Sequence, residues 1–129
     1  MTELIPRLFI GNWVEASRSR ATHIITCACD SPFVGHQHFS LIDGPGNTIE
    51  VFRAAVDAVC KAYGDGGEVL VHCVGGRSRS AAVIVAAATK ITGKPLCELY
   101  DLLLHKHDGS GTGARIHPYL ALLLLEVFK

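Results

Sequence analysis

The segment that most constrains the fold is EVLVHCVGGRSRSAAVIVAAATK, residues 68–90. It opens with a short apolar run, 69–71, that has the length and composition of a buried strand. Two glycines follow closely, and from Arg79 an Ala/Val/Ile-rich stretch has the pattern of a buried helix. The chain must therefore pass from a buried strand to a buried helix through one short loop. That loop starts at Cys73 and brings two arginines close to the cysteine.

Strand-like and helix-like segments alternate along the rest of the chain. Composition, turn residues and hydrophobic spacing predict strands at 7–12, 22–28 and 36–42, helices at 47–63, 79–92, 96–103 and 118–128, and a loop at 108–114. The first helix starts with a capping-box pair, Asn47 and Glu50. This alternation predicts an α/β fold with a central, mostly parallel sheet flanked by helices. We expect a single domain over residues 1–129.

Charge and hydropathy exclude several classes of partner. The 12 basic and 12 acidic residues cancel, which gives no electrostatic reason to expect nucleic acid or an anionic membrane surface. The longest apolar runs are well short of the roughly 20 residues that a membrane-spanning helix requires. The N-terminal residues lack the pattern of a secretion signal. We therefore expect a cytoplasmic monomer without a membrane anchor.

The cysteine count argues against a disulfide framework or a zinc site. Five is an odd number, and neither the Cys27/Cys29 pair nor the His36/His38 pair has the spacing of zinc ligands. We therefore predict no metal and no cofactor. Free thiols buried in the core are predicted at four positions: Cys27, Cys29, Cys60 and Cys97.

The loop after the buried strand has the features of a phosphate-binding site. Its backbone N–H groups, at 74–78, can turn inward and form an anion-binding nest, and the start of the next helix adds unpaired amides and partial positive charge. Gly75 and Gly76 permit the unusual dihedral angles that such a loop needs. Arg79 can hold two oxygens of a phosphate with its planar guanidinium. The sequence therefore predicts a site for a tetrahedral dianion.

A thiol at the floor of this nest suggests covalent chemistry. An ordinary cysteine is only about 3% ionised at pH 7, but helix N-termini and nearby cations favour the thiolate. We expect Cys73 to be largely ionised and in line to attack a phosphorus atom. Catalysis through a phosphocysteine follows as a hypothesis.

The sequence HCVGGRSRS, residues 72–80, resembles the signature of protein tyrosine phosphatases, in the form typical of the dual-specificity subfamily. Residues 5–12 and 114–128 are similar to the opening strand and the last segment of that subfamily, although Tyr119 stands where an asparagine is common. The resemblance covers nearly the whole chain. It implies a cysteine-dependent phosphatase fold and a hydrolase whose substrate is a phosphorylated protein. The expected targets are phosphotyrosine and, in addition, phosphoserine or phosphothreonine.

The resemblance also implies roles for individual residues. Cys73 is the nucleophile, Ser80 hydrogen-bonds its sulfur, and His72 supports the loop. The phosphate is held by six residues: Val74, Gly75, Gly76, Arg77, Ser78 and Arg79. Arg77 is equally compatible with a solvated charge and with a contact to the substrate beside the phosphate.

The family takes its general acid from an aspartate about thirty residues before the cysteine. Asp43 lies thirty residues before Cys73, in a glycine-rich turn, and is the predicted acid. Asp30 is the rival candidate.

Three other functions use similar features. A phosphoinositide or RNA 5′-phosphatase would have the same chemistry on another substrate. A phosphoprotein-binding module would bind without turnover, although such relatives usually lack the cysteine or the arginine. A rhodanese-like sulfurtransferase also uses a loop cysteine, in a shorter loop.

Overall fold

The computed structural model of the protein describes residues 1–107 and 114–128. In chain order the elements are β1 (Thr2–Ile5), β2 (Leu8–Gly11), α1 (Trp13–Arg18), β3 (His23–Thr26), β4 (Gln37–His38), α2 (Ile49–Asp65), β5 (Val69–His72), α3 (Arg79–Thr92), α4 (Leu96–His107) and α5 (Pro118–Val127). The predicted loop at 108–114 lies outside the described residues, apart from Ala114.

The five strands form one sheet in the order β1-β2-β5-β3-β4. Strand β1 is antiparallel to β2, whereas the pairs β2–β5, β5–β3 and β3–β4 are parallel. Strand β5 is central, and all four of its residues are buried. The predicted α/β class with a mostly parallel sheet is confirmed.

Alternate residues of β5 pack on opposite faces of the sheet, as the strand pleat requires. Val69 and Val71 belong to the main core with α2, α3, α4 and α5, while Leu70 packs with Ala16 of α1 on the other face. Helices therefore flank both faces, as predicted. The stretch 81–88 of α3 is fully buried, which explains why this helix is apolar on every side.

Two local predictions were wrong, and two elements were missed. Helix α2 begins at Ile49 with Thr48 as its N-cap, because the Thr48 hydroxyl, and not Asn47, accepts the N–H of Val51. Strand β4 covers only two residues of the predicted 36–42 segment. Strand β1 and helix α1 were not predicted, although Asn12 and Glu15 form a full capping box at the start of α1.

The thiols are all free, but they are not all buried. Cys27 is in the core and Cys60 is half-buried, whereas Cys29 and Cys97 are exposed, so the prediction was wrong for these two. Cys29 lies in the loop after β3. Cys97 lies on the outer side of α4, whose buried contacts come from Leu99 and Leu103.

Residues 1–107 and 114–128 contain neither a membrane-spanning helix nor a metal-binding cluster. No helix there is long and apolar enough to cross a membrane. No group of three or more His, Cys, Asp or Glu side chains there is arranged to hold a metal ion.

The register of the parallel strands aligns the C-terminal ends of β2, β5 and β3 at the same edge of the sheet. Gly11 of β2 and Thr26 of β3 both pair with His72, the last residue of β5. In parallel sheets ligands bind beyond this edge. Cys73 follows directly.

Candidate active site

The loop Cys73–Ser78 is held by hydrogen bonds to its carbonyl groups from outside. Three donors from separate parts of the chain reach three of these carbonyls: Trp13 N to Val74 O at 3.1 Å, His107 Nε2 to Gly76 O at 2.8 Å, and Arg115 N to Arg77 O at 2.7 Å. With these carbonyls bound on the outer side, neighbouring amides are free to face inward. Inward-facing amides are what an anion-binding nest requires.

Within the loop Cys73–Ser78, Gly76 is the residue with a positive φ. Its φ is +70°, and a Cβ built there would lie 2.7 Å from the carbonyl oxygen of Gly11 at the end of β2. Glycine is therefore required twice, for the left-handed dihedral angle and for the close approach to β2. In this conformation the Gly76 N–H donates to the Cys73 sulfur at 3.3 Å.

The Cys73 thiol lies at the floor of the loop, and only 2% of the residue is exposed. Its Sγ is 3.1 Å from the hydroxyl oxygen of Ser80, in the first turn of α3. The sulfur thus has two hydrogen-bonding neighbours, the Gly76 amide and Ser80. Both are groups that stabilise negative charge on sulfur when they donate to it.

Arg79, the first residue of α3, reaches across to two other segments of the chain. Its Nη1 donates to Asp30 Oδ1 at 2.6 Å and to the carbonyl oxygen of Leu41 at 3.2 Å. Its Nε is buried and has no hydrogen-bond partner among residues 1–107 and 114–128. Burial is the largest single effect and lowers the pKa of Arg79, but the hydrogen bond to Asp30 and the nearby negative charges together raise it overall. The same hydrogen bond lowers the pKa of Asp30.

His72 lies beneath the loop and is fully buried. Its Nδ1 is 3.0 Å from the carbonyl oxygen of Cys73, so this nitrogen carries the proton. Its Nε2 therefore accepts from the Thr26 hydroxyl at 2.7 Å, and Thr26 in turn accepts the Gly35 N–H. Burial lowers the pKa of His72, which favours this neutral form.

Asp43 is exposed and lies on a wall of an open cleft of about 490 Å³ beside the loop Cys73–Ser78. The other lining residues are Arg77, Ser78, Arg115, Ile116, His117 and Pro118. Its turn is closed by Asn47, whose side chain accepts the Ile42 N–H at 2.8 Å and donates to the Ile42 carbonyl at 2.6 Å. The structure thus brings the predicted acid to the same cleft as the loop, while Asp30 lies against Arg79.

The remaining loop residues differ in their surroundings. Ser78 uses its hydroxyl to accept the His117 N–H at 2.9 Å, which joins the loop to the start of α5. Arg77 is exposed and lines the cleft together with Asp43.

Several residues of the site were not predicted from the sequence. Trp13 and Arg115 act through backbone N–H groups, for which no sequence signal exists. His107 and Asn47 act through side chains. The only signal for Asn47 was its place in a turn beside Asp43.

Comparisons with known proteins agree on one family. The family model "Dual specificity phosphatase, catalytic domain" matches residues 15–114. Mouse dual specificity protein phosphatase 15 is 31% identical over 105 residues, which covers 72% of this chain and 44% of the mouse protein. The chain therefore matches less than half the length of this relative.

Solved structures share the fold over nearly the whole chain. Human DUSP28 superposes with a TM-score of 0.81 at 22% identity, covering 98% of this chain and 94% of that chain. Human tyrosine phosphatase-like serine/threonine/tyrosine-interacting protein gives a TM-score of 0.77 at 21% identity, covering 99% and 95%. At such low identities these likenesses show the fold alone.

Proposed function

The chain belongs to the dual specificity phosphatase catalytic-domain family, and from this premise we propose that it hydrolyses phosphorylated tyrosine, serine and threonine residues of proteins. The observation that carries the proposal is the position of the Cys73 sulfur. It lies between the Gly76 amide and the Ser80 hydroxyl, at the floor of a loop whose carbonyls are bound from outside.

In the first half of the reaction, the Cys73 sulfur attacks phosphorus. The S–P bond forms, and the bond from phosphorus to the ester oxygen breaks. The loop amides and the buried Arg79 guanidinium stabilise the charge on the three non-bridging oxygens. Because these donors are held in place before substrate binds, little reorganisation is needed during transfer.

The departing oxygen needs a proton, and Asp43 is the better-placed donor. It is exposed in the cleft beside the loop, where a leaving group would emerge. Asp30 is bound to Arg79 at 2.6 Å, and this contact lowers its pKa and keeps the carboxylate ionised. An acid held in the ionised form is a poor proton donor.

In the second half of the reaction, water attacks the phosphocysteine, and Asp43, now a carboxylate, accepts its proton. The S–P bond breaks, and inorganic phosphate leaves. The Ser80 hydroxyl, 3.1 Å from the sulfur, donates to the departing thiolate. His72 takes no part in proton transfer, since both its ring nitrogens are engaged with Thr26 and the Cys73 carbonyl.

The test is hydrolysis of p-nitrophenyl phosphate across pH 5 to 8 in the presence of EDTA. The intact protein is expected to release phosphate, and Cys73→Ser is expected to be inactive. Full activity of Cys73→Ser would contradict the proposed mechanism. Parallel assays with phosphotyrosine, phosphoserine and phosphothreonine peptides and with soluble inositol phospholipids then identify the substrate class.

Three properties of the whole protein belong to the same proposal. We propose a single domain, since one core contains residues from Leu4 to Leu124. We also propose a monomer in the cytoplasm; the five free cysteines are in keeping with a reducing compartment. Light scattering on the purified protein and cell fractionation test these statements.

A further inference from the structure

The guanidinium of Arg79 has two edges with different surroundings. On one edge, Nη1 donates to Asp30 Oδ1 and to the Leu41 carbonyl. An Nη nitrogen carries two hydrogens, so both hydrogens of Nη1 have acceptors. On the other edge, Nε is buried and has no hydrogen-bond partner in the described part of the chain. A buried donor without an acceptor is costly, so this edge is suited to an added ligand.

The free edge has the geometry that a phosphate requires. Arginine binds two oxygens of a phosphate through a pair of parallel N–H bonds, and the pair Nε and Nη2 forms such a fork. A planar guanidinium that is fixed at Nη1 can present this fork in only a narrow range of directions. The residue that holds Nη1 therefore determines how Arg79 meets the phosphate.

From this arrangement we propose that Asp30 is a positioning residue, which holds Nη1 so that the other edge of Arg79 faces a phosphate in the loop Cys73–Ser78. The proposal rests on the proposed function of that loop. It gives Asp30 a role different from that of general acid.

Asp30 is itself held by its neighbours. Cys27 N donates to the His72 carbonyl at 2.8 Å, and Cys29 N donates to the Leu41 carbonyl at 3.0 Å. The segment that carries Asp30 is thus tied both to the end of β5 and to the strand-like segment before Asp43. Leu41 O accepts from Cys29 and from Arg79, so one carbonyl links all three segments.

The opposing interpretation is that Asp30 competes with the phosphate for Arg79, since both carry negative charge. The contact with Nη1 argues against it, because the carboxylate occupies the edge opposite the fork. The Asp30 side chain is 63% exposed and that of Arg79 only 8%, so the aspartate reaches the arginine from the solvent side.

Two substitutions at Asp30 distinguish a residue that positions Arg79 from one that competes with the phosphate. Asp30→Asn keeps an oxygen that accepts from Nη1 but removes the charge, whereas Asp30→Ala removes both. The matched control is Asp57→Ala, because Asp57 is similarly exposed, at 70%, and pairs with Lys90 at 3.8 Å on another surface. Calorimetric titration with inorganic phosphate measures affinity without requiring turnover. Steady-state kinetics on p-nitrophenyl phosphate give kcat and KM.

Positioning predicts that Asp30→Ala weakens phosphate binding by about tenfold or more, the effect of losing a charge-assisted hydrogen bond. The same variant is expected to raise KM and lower kcat. Asp30→Asn is expected to restore phosphate affinity to the wild-type value or better, and Asp57→Ala to change nothing. A general loss of structure would not be rescued by asparagine, and a urea unfolding curve for each variant checks this directly.

Other results would overturn the proposal. Tighter phosphate binding by both Asp30 variants would show that Asp30 competes with the ligand. Unchanged phosphate binding by Asp30→Ala would show that Arg79 needs no positioning. If the wild-type protein bound no phosphate, there would be no ligand for Asp30 to orient Arg79 toward, and the proposal would fail. A wild-type protein that binds phosphate but hydrolyses no ester would contradict the proposed function alone, and the comparison of affinities would still decide the role of Asp30.

Discussion

The two halves of the candidate site, the loop Cys73–Ser78 and the turn that carries Asp43, are built in opposite ways. The loop Cys73–Ser78 lies between a buried strand and a buried helix, and donors from three distant segments bind its carbonyls. The turn of Asp43 is exposed, and the side chain of Asn47 closes it. The difference follows from the chemistry. Transition-state charge is stabilised best by donors fixed in advance, whereas a proton donor must reach leaving groups of different shapes.

The largest expected effect is at the nucleophile. Cys73→Ser should lower kcat by at least about 10³-fold, because a hydroxyl at this position does not ionise and the covalent step is lost. Cys97→Ser, at an exposed position on α4, is the matched control and should retain full activity. Hydrolysis of p-nitrophenyl phosphate measures both. Comparable activity in the two variants would place the chemistry outside the loop.

The role of Asp43 as general acid is tested with two substrates. Asp43→Ala should lower kcat by about 10²–10⁴-fold on phenyl phosphate, whose leaving group needs a proton. On p-nitrophenyl phosphate, whose leaving group is a weaker base, the loss should be smaller. An equal loss on both substrates would mean that Asp43 affects binding and does not donate the proton.

The rigidity of the loop is tested with a pair of glycines. Gly76 and Gly93 have φ values of +70° and +73°, but only at Gly76 would a Cβ meet other atoms, 2.7 Å from Gly11 O. Gly93→Ala should cost about 1–2 kcal/mol of unfolding free energy through the dihedral angle alone and leave activity unchanged.

Gly76→Ala should lose more stability and about 10²-fold in activity, since the loop must shift to admit the methyl group. Urea unfolding and initial rates measure the two quantities. Equal behaviour of the two variants would show that the approach of the loop to β2 does not matter.

The smallest effect is the pH dependence of stability from His72. Burial lowers the pKa of His72 in the folded state, whereas an unfolded histidine titrates near 6.5, so acid favours the unfolded chain. This contribution to stability is full above about pH 6.5 and declines as the pH falls toward the lowered folded-state value. When the pH falls from 7.5 to 5.5, the free energy of unfolding of the wild-type protein should decrease by up to about 1 kcal/mol more than that of His72→Asn.

Urea unfolding at the two pH values measures this loss. The exposed His105, replaced by asparagine, is the control and should leave the wild-type pH dependence in place. A His72→Asn variant with the same pH dependence as the wild type would contradict the neutral, buried role of His72.

The same contrast explains how much the sequence could predict. The strand, the loop and the helix around Cys73 are contiguous in the chain, so the local sequence pattern was sufficient to predict them. The predicted helix at 79–92 agrees with α3 as observed. The contacts that complete the loop come from residues far away in the chain. Arg79 meets Asp30 across 49 positions, and Trp13 binds Val74 through a backbone N–H that no side-chain pattern reveals.

At the start of α2, two neighbouring residues were both suited to capping, and a hydrogen-bonded turn just before the helix decided between them. The Asn47 side chain is engaged with Ile42, which leaves Thr48 as the cap. The spacing of residues in the sequence cannot predict which of the two caps the helix.

The most direct test of the central claim, that Cys73 carries the phosphoryl group, is chemical trapping of the intermediate. The protein is mixed with an aryl phosphate, quenched within milliseconds, digested, and the peptide that contains Cys73 is analysed by mass spectrometry. We expect one phosphoryl group on the Cys73 sulfur, at a level that falls to zero in Cys73→Ser. Phosphate release without a phosphorylated Cys73, or with the label on His72, would contradict it.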